Sequence, residues 1–242
     1  VVTNYEISYV NGKLTVTEAP VTVTAKSYTR AYGDANPTFE FTSEGAALKG
    51  TPSITCEATA TSPVGTYAIT IAKGDVENQN ITFVNGTLTI TKTPLSIAAG
   101  TYTKKQGDAM PEFTLTYTGF KNNETDTVLT KKPTISCEAN EESDPGEYTV
   151  SVSGAEAANY DISYTNGKLI VTEADLVTIT AKSYSREYGE ANPTFEFTSE
   201  GTTLDGTPEI VCEATATSPV GTFDIMVKQG TVKNYNVSYV AG

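Results

Sequence analysis

The chain has 242 residues, 16 Lys and Arg against 29 Asp and Glu for a net charge of −13, and neither His nor Trp. An acidic surface repels phosphates and anionic lipid heads, which argues against nucleic acid and acidic membranes as partners. The lack of histidine removes the commonest general base and transition-metal ligand, so no Ser-His or Cys-His nucleophile pair can be built.

Residues 1–19 read as the C-terminal hairpin of a preceding, truncated repeat, with the text Asn4-Tyr-Glu-Ile-Ser-Tyr-Val-Asn-Gly-Lys-Leu-Thr-Val-Thr17. The chain thus opens inside a strand pattern, as a piece of a longer protein would. No transmembrane run, signal peptide or lipidation motif is read in it.

Repeat 1 spans 20–93. Val21, Val23 and Ala25 alternate with threonines; Phe39 and Phe41 flank Glu40; Ile54, Cys56 and Ala58 flank Thr55 and Glu57. Tyr67, Ile69 and Ile71, then Ile81 and Phe83, then Leu88 and Ile90 complete the set. A period of two throughout predicts short strands with one buried face. At most a single helical turn is predicted near Ala46–Lys49, and a slightly longer one at Glu124–Leu129.

Repeat 2 spans 94–174 and carries an insertion at 119–132. Repeat 3 spans 175–242 and follows repeat 1 in register from Thr180-Ala-Lys-Ser-Tyr184, which matches Thr24-Ala-Lys-Ser-Tyr28. It lacks the counterpart of Leu88-Thr-Ile90. Asn11-Gly12, Asn85-Gly86 and Asn166-Gly167 each separate two alternating runs and predict type I′ hairpins, in which both central residues take positive φ. Linkers of a few residues at Glu18–Pro20, Lys92–Pro94 and Glu173–Asp175 predict an elongated rod of neighbours set end to end.

Cys56, Cys137 and Cys212 fall at one position of each copy. A disulfide within a module is therefore impossible, and buried free thiols are expected. Asp34 and Asn36, with Glu190 replacing Asp34 in repeat 3, read as turn caps, with calcium ligation as the functional alternative. Lys26, Lys104 and Lys182 lie on or after the first strand, where an isopeptide cross-link would need a buried lysine, asparagine and acid in contact. The many tyrosines suit core rims and contacts between modules, or stacking on sugars. Asp126-Thr127-Val128 resembles a bacterial O-glycosylation acceptor, with Thr127 as the modified residue.

Two motifs stand out. One is Tyr32-Gly33-Asp-Ala-Asn-Pro37, repeated as Tyr188-Gly189-Glu-Ala-Asn-Pro193. The other is Ser62-Pro-Val-Gly65-Thr-Tyr67, repeated as Ser218-Pro-Val-Gly221-Thr-Phe223. Repeat 2 departs from both, with Gln106-Gly107-Asp-Ala-Met-Pro111 and Asp144-Pro-Gly146-Glu-Tyr148. In motif and order the chain resembles the MBG domain of the YGX type, found in tandem in bacterial surface proteins. The resemblance covers nearly the whole chain. It implies a mainly β array of three β-grasp-like modules, with Ig-like β-sandwich modules as the alternative. It also implies an extracellular or cell-surface location, no cofactor, no metal and no catalytic residues. The residues surviving in all copies shape the backbone or fill the core, which points to architecture. The function it implies is adhesion to a host glycoprotein or polysaccharide, with a purely structural stalk as the alternative. Neighbouring repeats are partners in either case, and no part of the segment inserts in a membrane.

Overall fold

The structure is a computed structural model and describes residues 4–242. Among the described residues, alternation of β-branched and polar residues yields nineteen strands and no α-helix. The first module holds β1 (Val21–Ala25), β2 (Tyr28–Ala31), β3 (Phe41–Gly45), β4 (Ser53–Thr55), β5 (Gly65–Ala72), β6 (Ile81–Val84) and β7 (Gly86–Thr91). The second repeats them as β8 (Thr93–Ala99), β9 (Thr101–Lys105), β10 (Leu115–Thr118), β11 (Thr134–Cys137), β12 (Gly146–Ser153), β13 (Tyr160–Thr165) and β14 (Gly167–Thr172). The third has β15 (Val177–Ala181), β16 (Phe197–Gly201), β17 (Glu209–Cys212), β18 (Ile225–Lys228) and β19 (Val237–Val240).

Each of the first two modules is two sheets. In module 1 the order is β3-β1-β6 in one and β2-β7-β5-β4 in the other; module 2 has β10-β8-β13 and β11-β12-β14-β9. The opening strand divides between them: β1 pairs antiparallel with β3 and parallel with β6, and the chain then steps across so that β2 pairs parallel with β7. Inward residues of both sheets meet in a common core. In module 3, Val177, Ile179 and Ala181 of β15 pack with Ile225 and Val227 of β18. In module 2, Val150, Leu169 and Val171 form the centre with Ala139. The mainly β, three-module expectation holds. Of the two architectures left open by the sequence, the two-sheet modules, with a divided first strand and no covering helix among the described residues, are consistent with the Ig-like sandwich alternative.

The Asn-Gly dipeptides do not form hairpins. β6 and β7 lie in different sheets, and Asn85-Gly86 is the crossing between them. The Asn85 side chain accepts from the Ile71 N–H at 3.1 Å, and Asn166 does the same for Val152. Glycine follows for lack of space: a Cβ on Gly86 would lie 2.5 Å from the Lys26 carbonyl oxygen, and one on Gly167 2.0 Å from that of Gly100. The dipeptide is selected by a close backbone approach, which looks identical to hairpin chemistry in a sequence.

Two further expectations are corrected. Residues 5–20 form no strand, so the hairpin expected within 1–19 is not made. Of the two helical turns, only the second appears, as a 3-10 turn at Asp126–Val128.

The chain divides into two compact units that do not follow the repeat boundaries. Unit 1 is Val1–Leu95 with Gly119–Thr130 and Glu156–Ile162; unit 2 is Ser96–Thr118, Lys131–Ala155 and Ser163–Gly242. The insertion of repeat 2 thus belongs to the unit that contains module 1.

Candidate functional site

The repeated Tyr-Gly-x motif follows β2. Gly33, Gly107 and Gly189 all take positive φ, at 83°, 87° and 90°, where a side chain would be strained. Each donates its N–H to the loop before β5 or its counterpart: to the Ala60 carbonyl at 3.2 Å, the Glu141 carbonyl at 2.9 Å and the Ala216 carbonyl at 3.1 Å. That loop carries the second motif. Gly65 opens β5 and Gly146 opens β12, while Gly221 precedes β18 without joining it. Tyr67 donates to the Pro63 carbonyl and Tyr148 to that of Asp144, both at 2.8 Å. Phe223 has no hydroxyl for this bond and is exposed.

A cation at one position fastens the two motifs together, and this role was missed in the sequence. Arg30 is buried and donates to Asn36 Oδ1 at 2.8 Å, to the Ala31 carbonyl and to the Thr59 carbonyl at 2.6 Å. Arg186 repeats this on Asn192, Glu187 and Thr215. Lys104 is their counterpart in module 2, buried, with its ammonium on the carbonyls of Lys105, Asp108 and Glu141. Grouping Lys104 with Lys26 and Lys182 was therefore a misregister: those two are exposed and pair with Glu40 at 2.6 Å and Glu196 at 2.7 Å. The findable signal was a basic residue two places before the motif's first residue in all three copies. Replacing Lys104 by methionine keeps the stem and orphans three carbonyls. The expected cost is about 2–3 kcal/mol, read from denaturant unfolding; replacement by arginine should recover part of it.

The other face of the turn receives the next module. In unit 1, Tyr32 is only 3% exposed. Its ring meets that of Tyr160 edge-on at 5.7 Å, and Phe120 meets Tyr160 at 5.5 Å. The Glu124 carboxylate accepts from Tyr32 Oη at 2.5 Å and also from Tyr160 Oη. Tyr160 Oη accepts from the Lys121 N–H, Lys121 Nζ pairs with Asp34 at 3.1 Å, and Asn159 Oδ1 accepts from the Val64 N–H. Lys121 also lies against Gly33, where a Cβ would come within 2.4 Å of it. In unit 2 the same side of the module 2 turn meets module 3: a Cβ on Gly107 would lie 2.7 Å from the Tyr235 ring. Tyr235 and Tyr160 hold equivalent places in their repeats, so the geometry recurs. Gln106, standing where modules 1 and 3 have tyrosine, bonds to Asp144 instead. Tyr188, the third copy, is 68% exposed, and nothing lies within 4 Å of a Cβ built on Gly189.

Burial pushes the Tyr160 hydroxyl up to about 12, with the bond to Glu124 adding to it, and the same causes raise Tyr32. Unfolded tyrosine ionises near ~10. A group whose folded value is raised contributes stability that is complete below the unfolded value and is lost as pH rises through the folded one. The junction is thus expected to weaken between about pH 10 and 12. Denaturation of the parent and Tyr160→Phe across that window checks this: the parent should lose stability more steeply.

Other sequence candidates fall outside these contacts. Asn36 serves Arg30 and donates to the Ala58 carbonyl, and no cluster of acidic or cysteine side chains able to hold a metal occurs among the described residues. Pro37, Pro111 and Pro193 lead into Phe39, Phe113 and Phe195, whose rings pack on Tyr28, Tyr102 and Tyr184. The cysteines carry no disulfide and are half-buried rather than buried, because they lie on or beside the outermost strand of the second sheet. Thr127 is exposed in the 3-10 turn, its hydroxyl 3.0 Å from that of Thr125.

Repeated two-sheet modules, each meeting the next through a glycine turn after its second strand, define a tandem-repeat β array. The chain belongs to the MBG domain family of the YGX type, which matches at residues 21–89, 95–170 and 177–242. No curated protein matches it. Among solved structures, the protocadherin gamma B7 extracellular cadherin domains 1–4 are similar over 90% of this chain and 69% of that one. The identity is 9% and the TM-score 0.26, too slight to bear on fold or function.

Proposed function

We propose that the chain is a non-catalytic repeat region of an exported surface protein and serves as a structural spacer. The observation that carries this is where the recurring aromatics are spent. In modules 1 and 2 they are tied into turns, sheet rims and the junction; large exposed aromatics among the described residues occur only in the N-terminal segment and module 3. An adhesin built on repetition would present an equivalent aromatic patch in every copy, so that weak contacts sum. Adhesion to a host glycoprotein or polysaccharide is the competing reading. Binding of the labelled chain to immobilised glycans and matrix glycoproteins tests the two. Background binding is expected, and saturable binding that grows with the number of modules would overturn the spacer reading. Thr127 is the proposed O-glycosylation acceptor on the exposed turn; a hexose-bearing peptide containing it in the exported protein is the expected sign.

A further inference from the structure

Two phenols of unit 1 converge on one carboxylate. Tyr32 Oη donates to Glu124 Oε1 at 2.5 Å, and Tyr160 Oη donates to Glu124 Oε2. The two rings meet edge-on with their centroids 5.7 Å apart. The hydroxyl ends of both rings are therefore drawn together, and with them the ring carbons ortho to each hydroxyl. The Lys121 N–H, at 2.9 Å, holds Tyr160 Oη from a further direction. Tyr32 and Tyr160 are 3% and 2% exposed, while Glu124 is half-buried. Solvent is kept from the rings, yet a proton taken up by Glu124 can leave to water. Burial of a tyrosine calls for one partner at its hydroxyl. Two phenols on the two oxygens of a single carboxylate go further, because each has a base in place for its proton. Unit 2 has no such pair: the equivalents there are Gln106 and Tyr235, and Gln106 bonds to Asp144.

We propose that Tyr32 and Tyr160 form a site of oxidative cross-linking, at which a one-electron oxidant of the peroxidase class joins them as dityrosine. The bond ties the glycine turn of module 1 to residues 156–162, both within unit 1. Each tyrosine gives one electron to the oxidant, and its phenolic proton passes to the Glu124 oxygen already bonded to it. Glu124 takes the two protons in turn, releasing the first to water before it accepts the second. A phenoxyl radical carries much of its unpaired spin on the carbons ortho to oxygen. The two radicals pair there to form one carbon–carbon bond. The hydrogen on each bonded carbon then shifts to oxygen, which restores both phenols. With hydrogen peroxide as the final acceptor, two tyrosines and one peroxide give one dityrosine and two waters. Burial does not block the step, since an electron crosses a short span of protein without contact. It also keeps the radicals away from a second chain, so the bond is intramolecular.

This goes beyond the spacer reading and does not depend on it. The test treats the dilute chain with hydrogen peroxide and a peroxidase, and in parallel with a small photogenerated oxidant. Peptide mass spectrometry then locates the cross-links. The expected product is a single chain lighter by two hydrogens, with its bond between Tyr32 and Tyr160 and the fluorescence of dityrosine. Tyr160→Phe should abolish that bond, and so should denaturant, because the fold makes the contact. Glu124→Gln keeps the size of the side chain and a hydrogen-bonding group at each end, but is no base. Its initial rate should fall on the order of a hundredfold, the lower end of what a positioned base contributes. Near-ultraviolet dichroism of the tyrosines checks that the rings stay packed in that variant. Oxidation of Tyr9 and Tyr188, 86% and 68% exposed, shows that each oxidant was active. If those two are oxidised while Tyr32 and Tyr160 stay unjoined under both oxidants, the proposal is overturned. A bond that forms as fast in denaturant, or in a packed Glu124→Gln, would overturn it too.

Discussion

Tyr160→Ala is expected to destabilise unit 1 by about 3–5 kcal/mol, the range for removing a large buried aromatic. Three losses combine. The ring leaves its edge-on contacts with Tyr32 and Phe120; the Glu124 carboxylate loses one of two tyrosine donors; and the Lys121 N–H loses its acceptor. Tyr160→Phe separates these losses, since it keeps the ring and removes only the hydroxyl, for about 1–3 kcal/mol. Denaturant unfolding of both variants measures the difference. The equivalent change in the third module, Tyr235→Ala, removes a residue that is exposed and should cost much less.

Leu169→Ala is expected to cost about 3–5 kcal/mol. Leu169 is fully buried on β14, opposite Tyr148 on one side and Tyr102 on the other, and it packs with Val150 and Val171. β14 is the strand through which β9 and β12 are joined. A void there weakens two ladders as well as the core, so the unfolding midpoint should fall and amide protection of β9 should fall with it. Thr172→Ala, on the same strand but with its side chain exposed and a weak bond at 3.3 Å, is the control and should change little.

The strands, the threefold repetition and the inward set of Val, Ile and Leu residues were legible because alternation and repetition are local signals. The Tyr-Gly-x turn was legible as architecture, since glycine at the same place in three copies needs a backbone reason. The Asn-Gly crossings were misread because a close approach from Lys26 or Gly100 is distant in sequence and leaves no local mark. Lys104 was misread for a related reason: the alignment near Gly100 shifts by a few residues, and only the β9–β14 pairing shows that it matches Arg30. The shared carboxylate of Glu124 was hidden in an insertion, where repetition offers no comparison. The half-burial of the cysteines was missed because alternation tells which face a residue takes, and not that its strand ends the sheet.

The central claim is that the glycine turn of module 1 is built to hold the insertion of repeat 2, so that Tyr32, Glu124 and Tyr160 act as one contact. Amide hydrogen exchange of the parent and Glu124→Leu tests it directly. The substitution is expected to speed exchange both in 119–130 and in the turn at 31–34, which lies about ninety residues away in sequence, while β15–β19 stay unchanged. Faster exchange confined to 119–130, with the turn at 31–34 as protected as before, would contradict it.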